Sequence, residues 1–259
     1  MWHDAPAMLH VRESDGAAAG HAGWVRLSHW VIAASTLVLA FTGVAILMVH
    51  PRLYWGEVGN DLTPAFLELK ISRNYKHGGW TGATPFFQTA NSPISANRTY
   101  DIFNQNGWAR SLHFLAAWWL VVPGMLYLVN GLAGGHFRKH ILPASRELRA
   151  GTLWTDVRDH LRLQIRPATG GPQYGVLQKI AYVGVVFVAA PVMVLTGLAM
   201  APAVTAALPI LLTVFGGYQS ARTIHFFAFA ALLSFIVVHL VMVALSGFRQ
   251  QMRGMTFGR

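Results

Sequence analysis

The chain has 259 residues, 54% of them hydrophobic and 12% charged, with no cysteine and a formal net charge of +10. So little charge in so apolar a chain lies outside the range of ordinary soluble domains and points to a membrane. The basic residues sit in loops between apolar runs rather than along one polar face, which argues against nucleic acid. Absence of cysteine excludes disulfides, iron–sulfur clusters, thiolate zinc sites and covalently attached haem.

Residues 1–25 hold Asp4, Glu13 and Asp15 and lack an apolar core before Trp24, so they read as a retained tail and not as a signal peptide. Four runs then reach the roughly 20 apolar residues that a membrane span needs, at about 28–49, 111–134, 177–200 and 223–247. The expected fold is an all-α, four-helix transmembrane bundle over 26–250. The first connection, 50–108, is long and rich in aromatic residues, as functional or docking loops are. The second, 135–176, is basic, and its stretch 152–165 alternates charge with Leu153, Trp154, Val157, Leu161 and Ile165. That pattern predicts an amphipathic interfacial helix, with a solvated connector as the alternative. After the third run, Pro202 and Pro209 interrupt the apolar stretch. Residues 203–215 are therefore expected at the membrane surface, with a re-entrant hairpin as the alternative. Residues 251–259 read as a C-terminal tail.

Orientation follows from Lys and Arg. With the N-terminus in the cytoplasm, 13 of them lie inside and 7 outside, so positive-inside places both termini in the cytoplasm and the 50–108 and 201–221 segments outside.

The fourth run, "RTIHFFAFAALLSFIVVHLVM", carries His225 and His239, 14 residues apart. Fourteen helical residues advance roughly 21 Å in just under four turns, so the two imidazoles share one face at opposite depths. Ionisable groups at such depths are costly and usually functional. His29, early in the first run, is level with His239 on the inner side, and His113, early in the second, is level with His225 on the outer side. Two pairs result, one per leaflet. "ARSLHFLA" (109–116) recurs as "ARTIHFFA" (221–228), and R-x-x-H occurs again as "RLSH" (26–29).

Two helices presenting one motif at one depth could grip a planar cofactor from opposite sides, and bis-histidine haem b is the reading these pairs favour. Zinc fits less well, because it wants about four ligands in one place and each depth offers two histidines and no acid. Arg26, Arg110 and Arg222, each one turn nearer water than a candidate ligand, are candidate contacts for haem propionates; the alternative is an interfacial anchor. Gly43, 14 residues after His29, and Gly124, 11 after His113, lie near the outer and inner pairs and would leave room for a porphyrin, or simply help helices pack. Bis-histidine ligation leaves no open iron position, which favours electron transfer over oxygen chemistry. Trp30, His136 and Arg249, with Arg26, are candidates for a quinone site near the inner pair.

One histidine on each of the first two spans, two more 14 apart on the fourth, and the segments "HPRLYWGEVGN", "RSLHF", "RTIHF" and "GHFRKHILP" together resemble the di-haem cytochrome b561-type family. That family includes the membrane subunits of nickel–iron hydrogenase, formate dehydrogenase and thiosulfate reductase, and the thiosulfate reductase cytochrome b branch looks most similar. The resemblance covers about residues 24–250. It implies that His29, His113, His225 and His239 are axial ligands of two haems b. It further implies electron exchange with the quinone pool, and a periplasmic partner, often a molybdopterin oxidoreductase, at the bacterial inner membrane. Two other functions stay open. A stand-alone superoxide:quinone oxidase would need a cationic outer funnel, for which Arg110, Arg222, Lys70 and Lys76 are available. A haem-free transporter or structural membrane protein is the third.

Overall fold

The computed structural model describes residues 22–60, 63–71, 106–162 and 175–258. Residues 1–21 of the expected 1–25 tail, most of the outer loop and residues 163–174 of the inner loop lie outside them. Four helices among the described residues are long and apolar enough to cross a membrane: Gly23–Val49, Gly107–Ala133, Val176–Ala199 and Tyr218–Leu245. They start up to five residues before the runs expected from sequence and end up to two residues earlier, because polar first turns such as Tyr218–Arg222 still complete the helical ladder.

Helix α1 (Gly23–Val49) and helix α2 (Asn106–Ala133) pack closely as one hairpin. The third span is α4 (Val176–Gly184), a π-helical turn (Val185–Ala189) and α5 (Ala190–Ala199), and α5 packs on α8 (Tyr218–Leu245) as a second hairpin. Pro191 explains the wide turn: it lacks an N–H and its ring crowds the preceding turn, and one π turn relieves both. Pro123 sits inside α2, which is otherwise continuous.

Between the two outer helix ends lies a tightly bound segment. Arg52–Leu53 (β1) pairs antiparallel with Leu67–Glu68 (β2), in the register Arg52 to Glu68 and Leu53 to Leu67. Pro51 to Tyr54 are buried, Leu53 and Tyr54 almost completely. The segment caps α8. Gly56 O accepts from Gln219 N (2.9 Å) and Ser220 N (3.2 Å), and Glu57 Oε2 accepts from Tyr218 N (3.2 Å). First-turn N–H groups have no partner within their own helix, and a carboxylate there also meets the positive end of the helix dipole. Gly217 allows the approach: its φ of +110° and the 2.6 Å between an added Cβ and the Gly56 backbone leave no place for a side chain.

The apolar stretch expected at the surface forms two short helices, α6 (Pro202–Ala207) and α7 (Ile210–Phe215), divided at Leu208–Pro209. Leu208, Ile210 and Val214 stay exposed. The amphipathic helix expected at 152–165 is α3, Ala150–Leu161. Its Asp156 Oδ2 accepts from Leu177 N (2.8 Å), capping the third span, and Lys179 bridges to both oxygens of Glu147 at 3.0 Å. The C-terminal segment differs from a plain tail. It forms α9 (Phe248–Thr256) and returns to α1, where Trp30 Nε1 donates to Met255 O and Arg26 Nη1 to Thr256 O. The N-terminal boundary shifts too, since α1 begins at Gly23.

Candidate functional site

The four intramembrane histidines meet in the two pairs that their depths predict. His113 on α2 and His225 on α8 have ring centres 6.4 Å apart with planes at 59°; His29 on α1 and His239 on α8 have ring centres 6.3 Å apart at 55°. Each pair joins one hairpin to the other. Two imidazoles bound from opposite sides to a single metal, with a metal–nitrogen bond of about 2.0–2.1 Å, hold their ring centres about 6.4 Å apart. Both pairs fit one metal between two rings. Among the described residues no group of three or more His, Asp or Glu is gathered in one place.

The immediate surroundings of the pairs differ. At the outer pair, Thr42 Oγ1 lies 2.9 Å from His113 Nδ1 and Thr196 Oγ1 lies 2.9 Å from His225 Nδ1. The glycines that follow these threonines, Gly43 and Gly197, bring the helix backbone against the same rings: an added Cβ would stand 3.6 Å from His113 Cε1 and 3.5 Å from His225 Cε1. Inside, Phe235 stacks on His239 (5.9 Å, 16°) and Trp30 meets His29 edge-on (5.2 Å, 89°). A Cβ at Gly124 would find nothing within 4 Å, so helix packing does not require glycine there.

Thr42 and Thr196 were not singled out from the sequence, yet a signal exists. Thr-Gly occurs late in the first span and again in the third, and each is followed by an R-x-x-H opening the next span. The two hairpins thus repeat one design. The repeat breaks at the inner level, where the position 14 residues after His113 is Tyr127 and not histidine.

The three arginines diverge. Arg110 is exposed. Arg26 donates to Thr256 O (3.1 Å), and Arg222 donates to Arg52 O (2.9 Å) and His50 O. Thr223 Oγ1 adds a bond to Tyr54 O (2.6 Å). Arg222 thereby clamps the outer segment, a role that depends on the fold of residues 50–57 and has no local sequence signal. Its guanidinium is thus engaged by backbone carbonyls of the outer segment; Lys76 lies outside the described residues.

Of the quinone candidates, Trp30 stands between His29 and α9, and Arg249 is exposed on α9. His136 meets Trp24 and Tyr127 edge-on, at 5.6 and 6.2 Å. It lines an open cavity of about 500 Å³ with Trp24, Asn130, Gly134 and Lys139.

A bundle of four apolar helices, with two histidine pairs joining its hairpins, defines a multi-pass membrane protein. The chain belongs to the prokaryotic cytochrome b561 family, whose model matches residues 20–258, and this family binds haem b. It is also 30% identical over 227 residues, 87% of this chain and 90% of the relative, to a protein of Azospira oryzae described as "Putative protein-methionine-sulfoxide reductase subunit YedZ1". No solved structure matches the chain.

Proposed function

We propose that the chain is a transmembrane electron carrier holding two haems b, the outer between His113 and His225 and the inner between His29 and His239. The carrying observation is the pair of ring separations, 6.4 and 6.3 Å, each joining one hairpin to the other. Haem held by two histidines supplies one-electron transfer with no open coordination position. The residues of the chain do the rest. The four imidazoles hold the two groups at fixed depths, and α8 contributes one ligand to each, so a single rigid helix sets their separation. Apolar surroundings keep water from the path.

In this reading the chain lies in the bacterial inner membrane with both termini in the cytoplasm. It carries electrons between the quinone pool and a periplasmic redox enzyme, of molybdopterin type. The name of the Azospira relative supports a partner that reduces protein methionine sulfoxide, and hence electron flow outward from quinol. The exposed apolar residues of α6 and α7, beside the capped outer segment, would form the docking surface. The cavity beside His136 would take the quinone ring.

Pyridine haemochrome assay of the purified chain tests this. The wild type should hold about two b haems. His113→Ala should remove mainly the outer one, and His225→Ala together with His239→Ala should remove both. A colourless wild type, or haem content untouched by the double substitution, rejects the reading. Co-purification of a periplasmic reductase from native membranes tests the partner, and superoxide:quinone turnover by the chain alone would instead favour the stand-alone oxidase.

A further inference from the structure

Thr42 and Thr196 are fully buried, and each hydroxyl faces both the backbone of its own helix and a histidine of another. Thr42 Oγ1 donates to Val38 O (2.7 Å) and Thr196 Oγ1 to Val192 O (2.6 Å), one helical turn back. Such return bonds are ordinary for Ser and Thr in helices; Thr36 and Ser234 also make them. The second contact is what distinguishes this pair, because each oxygen also faces the Nδ1 of an outer histidine at 2.9 Å.

A hydroxyl carries one hydrogen. With that hydrogen on the carbonyl, the oxygen can only accept from the imidazole. His113 and His225 are then both Nδ1–H tautomers, and Nε2 keeps the lone pair that binds metal. An acceptor on the far nitrogen also makes the imidazole a stronger donor to the metal. Stronger donation favours the more highly charged, oxidised iron and lowers its potential.

We propose that Thr42 and Thr196 are positioning residues of the outer site: they hold both of its histidines in the ligating tautomer and hold its reduction potential down. This inference rests on the di-haem reading above. Both threonines stand against the outer histidines, so the effect belongs to the outer site.

Optical redox titration of Thr42→Val, Thr196→Val and the double variant, each beside its serine counterpart, provides the test. Haem content is measured first. The expected result is an upward shift of one of two midpoints in the valine variants, larger in the double variant, with the other midpoint unmoved and serine restoring the wild-type value. Loss of one haem with valine and its recovery with serine also supports the inference, because serine keeps only the hydroxyl. Two haems with unchanged midpoints, or serine variants that behave like valine, overturn this inference alone. A wild type without haem overturns the di-haem reading, and this inference with it.

Discussion

Replacing Arg222 with methionine keeps the length and apolar stem of the side chain and removes its donors. The guanidinium donates to Arg52 O and His50 O, where a membrane-embedded helix holds the outer segment. Hydrogen bonds from a charged donor contribute about 1.5–3 kcal/mol each. His50 O keeps a second donor, Arg52 N at 2.8 Å, so the loss should sit near the lower end of the sum, about 3 kcal/mol. At about 1.4 kcal/mol per factor of ten, local opening of residues 51–56 should become on the order of 100-fold more frequent. Hydrogen exchange of peptides covering that segment, followed by mass spectrometry in detergent, reads this directly, since exchange reports local opening free energies. Arg222→Lys, with one compact donor group in place of a fork, should fall between wild type and methionine. Thr223→Val, which removes the neighbouring bond to Tyr54 O, should accelerate exchange by roughly tenfold or less. Exchange within twofold of wild type in Arg222→Met would refute the clamp. If haem content fell instead while exchange stayed slow, the arginine would be acting on the cofactor.

Three further outcomes follow. Gly217→Ala forces a side chain into a left-handed backbone with φ +110° and into the Gly56 backbone; it should destabilise the outer segment by at least about 1–2 kcal/mol, again visible as faster exchange at 51–56. Gly124→Ala meets no protein atom within 4 Å and improves helix propensity by about 1 kcal/mol, so the apo-chain should fold as well or better; a lower inner-haem content measured by haemochrome would mark the glycine as a cofactor contact, and unchanged content would remove it from that role. Glu147 is held below the usual carboxylate range first by the Ala144 N–H and then by Lys179. A lowered carboxyl stabilises the folded state above its unfolded pKa, and that contribution is lost as pH falls through the lowered value. Proteolysis of the 144–150 turn should therefore be flat across neutral pH and rise only in acid, and Glu147→Gln should abolish this dependence.

Some of this molecule is written locally. Low charge and four apolar runs determine a membrane bundle, because a lipid-exposed backbone must satisfy its own hydrogen bonds within helices. The 14-residue interval on α8 determines that two histidines share a face, because helical geometry is periodic, and antiparallel spans determine which partner lies at each depth. The two R-x-x-H octapeptides are equally plain, since a repeat is a property of order along the chain.

Other features depend on residues distant in sequence, and only the tertiary structure decided them. Thr42 and His113 are 71 positions apart, and the hydroxyl's role appears only once the hairpins have closed. The R-x-x-H spacing makes Arg222 a candidate propionate contact, whereas its bonds to His50 O and Arg52 O depend on residues 51–57 folding over the start of α8. The return of α9 to Arg26 and Trp30 is likewise a contact between the two ends of the chain. Local periodicity sets where a side chain points on its own helix, but the partner it meets is set by how separate helices pack.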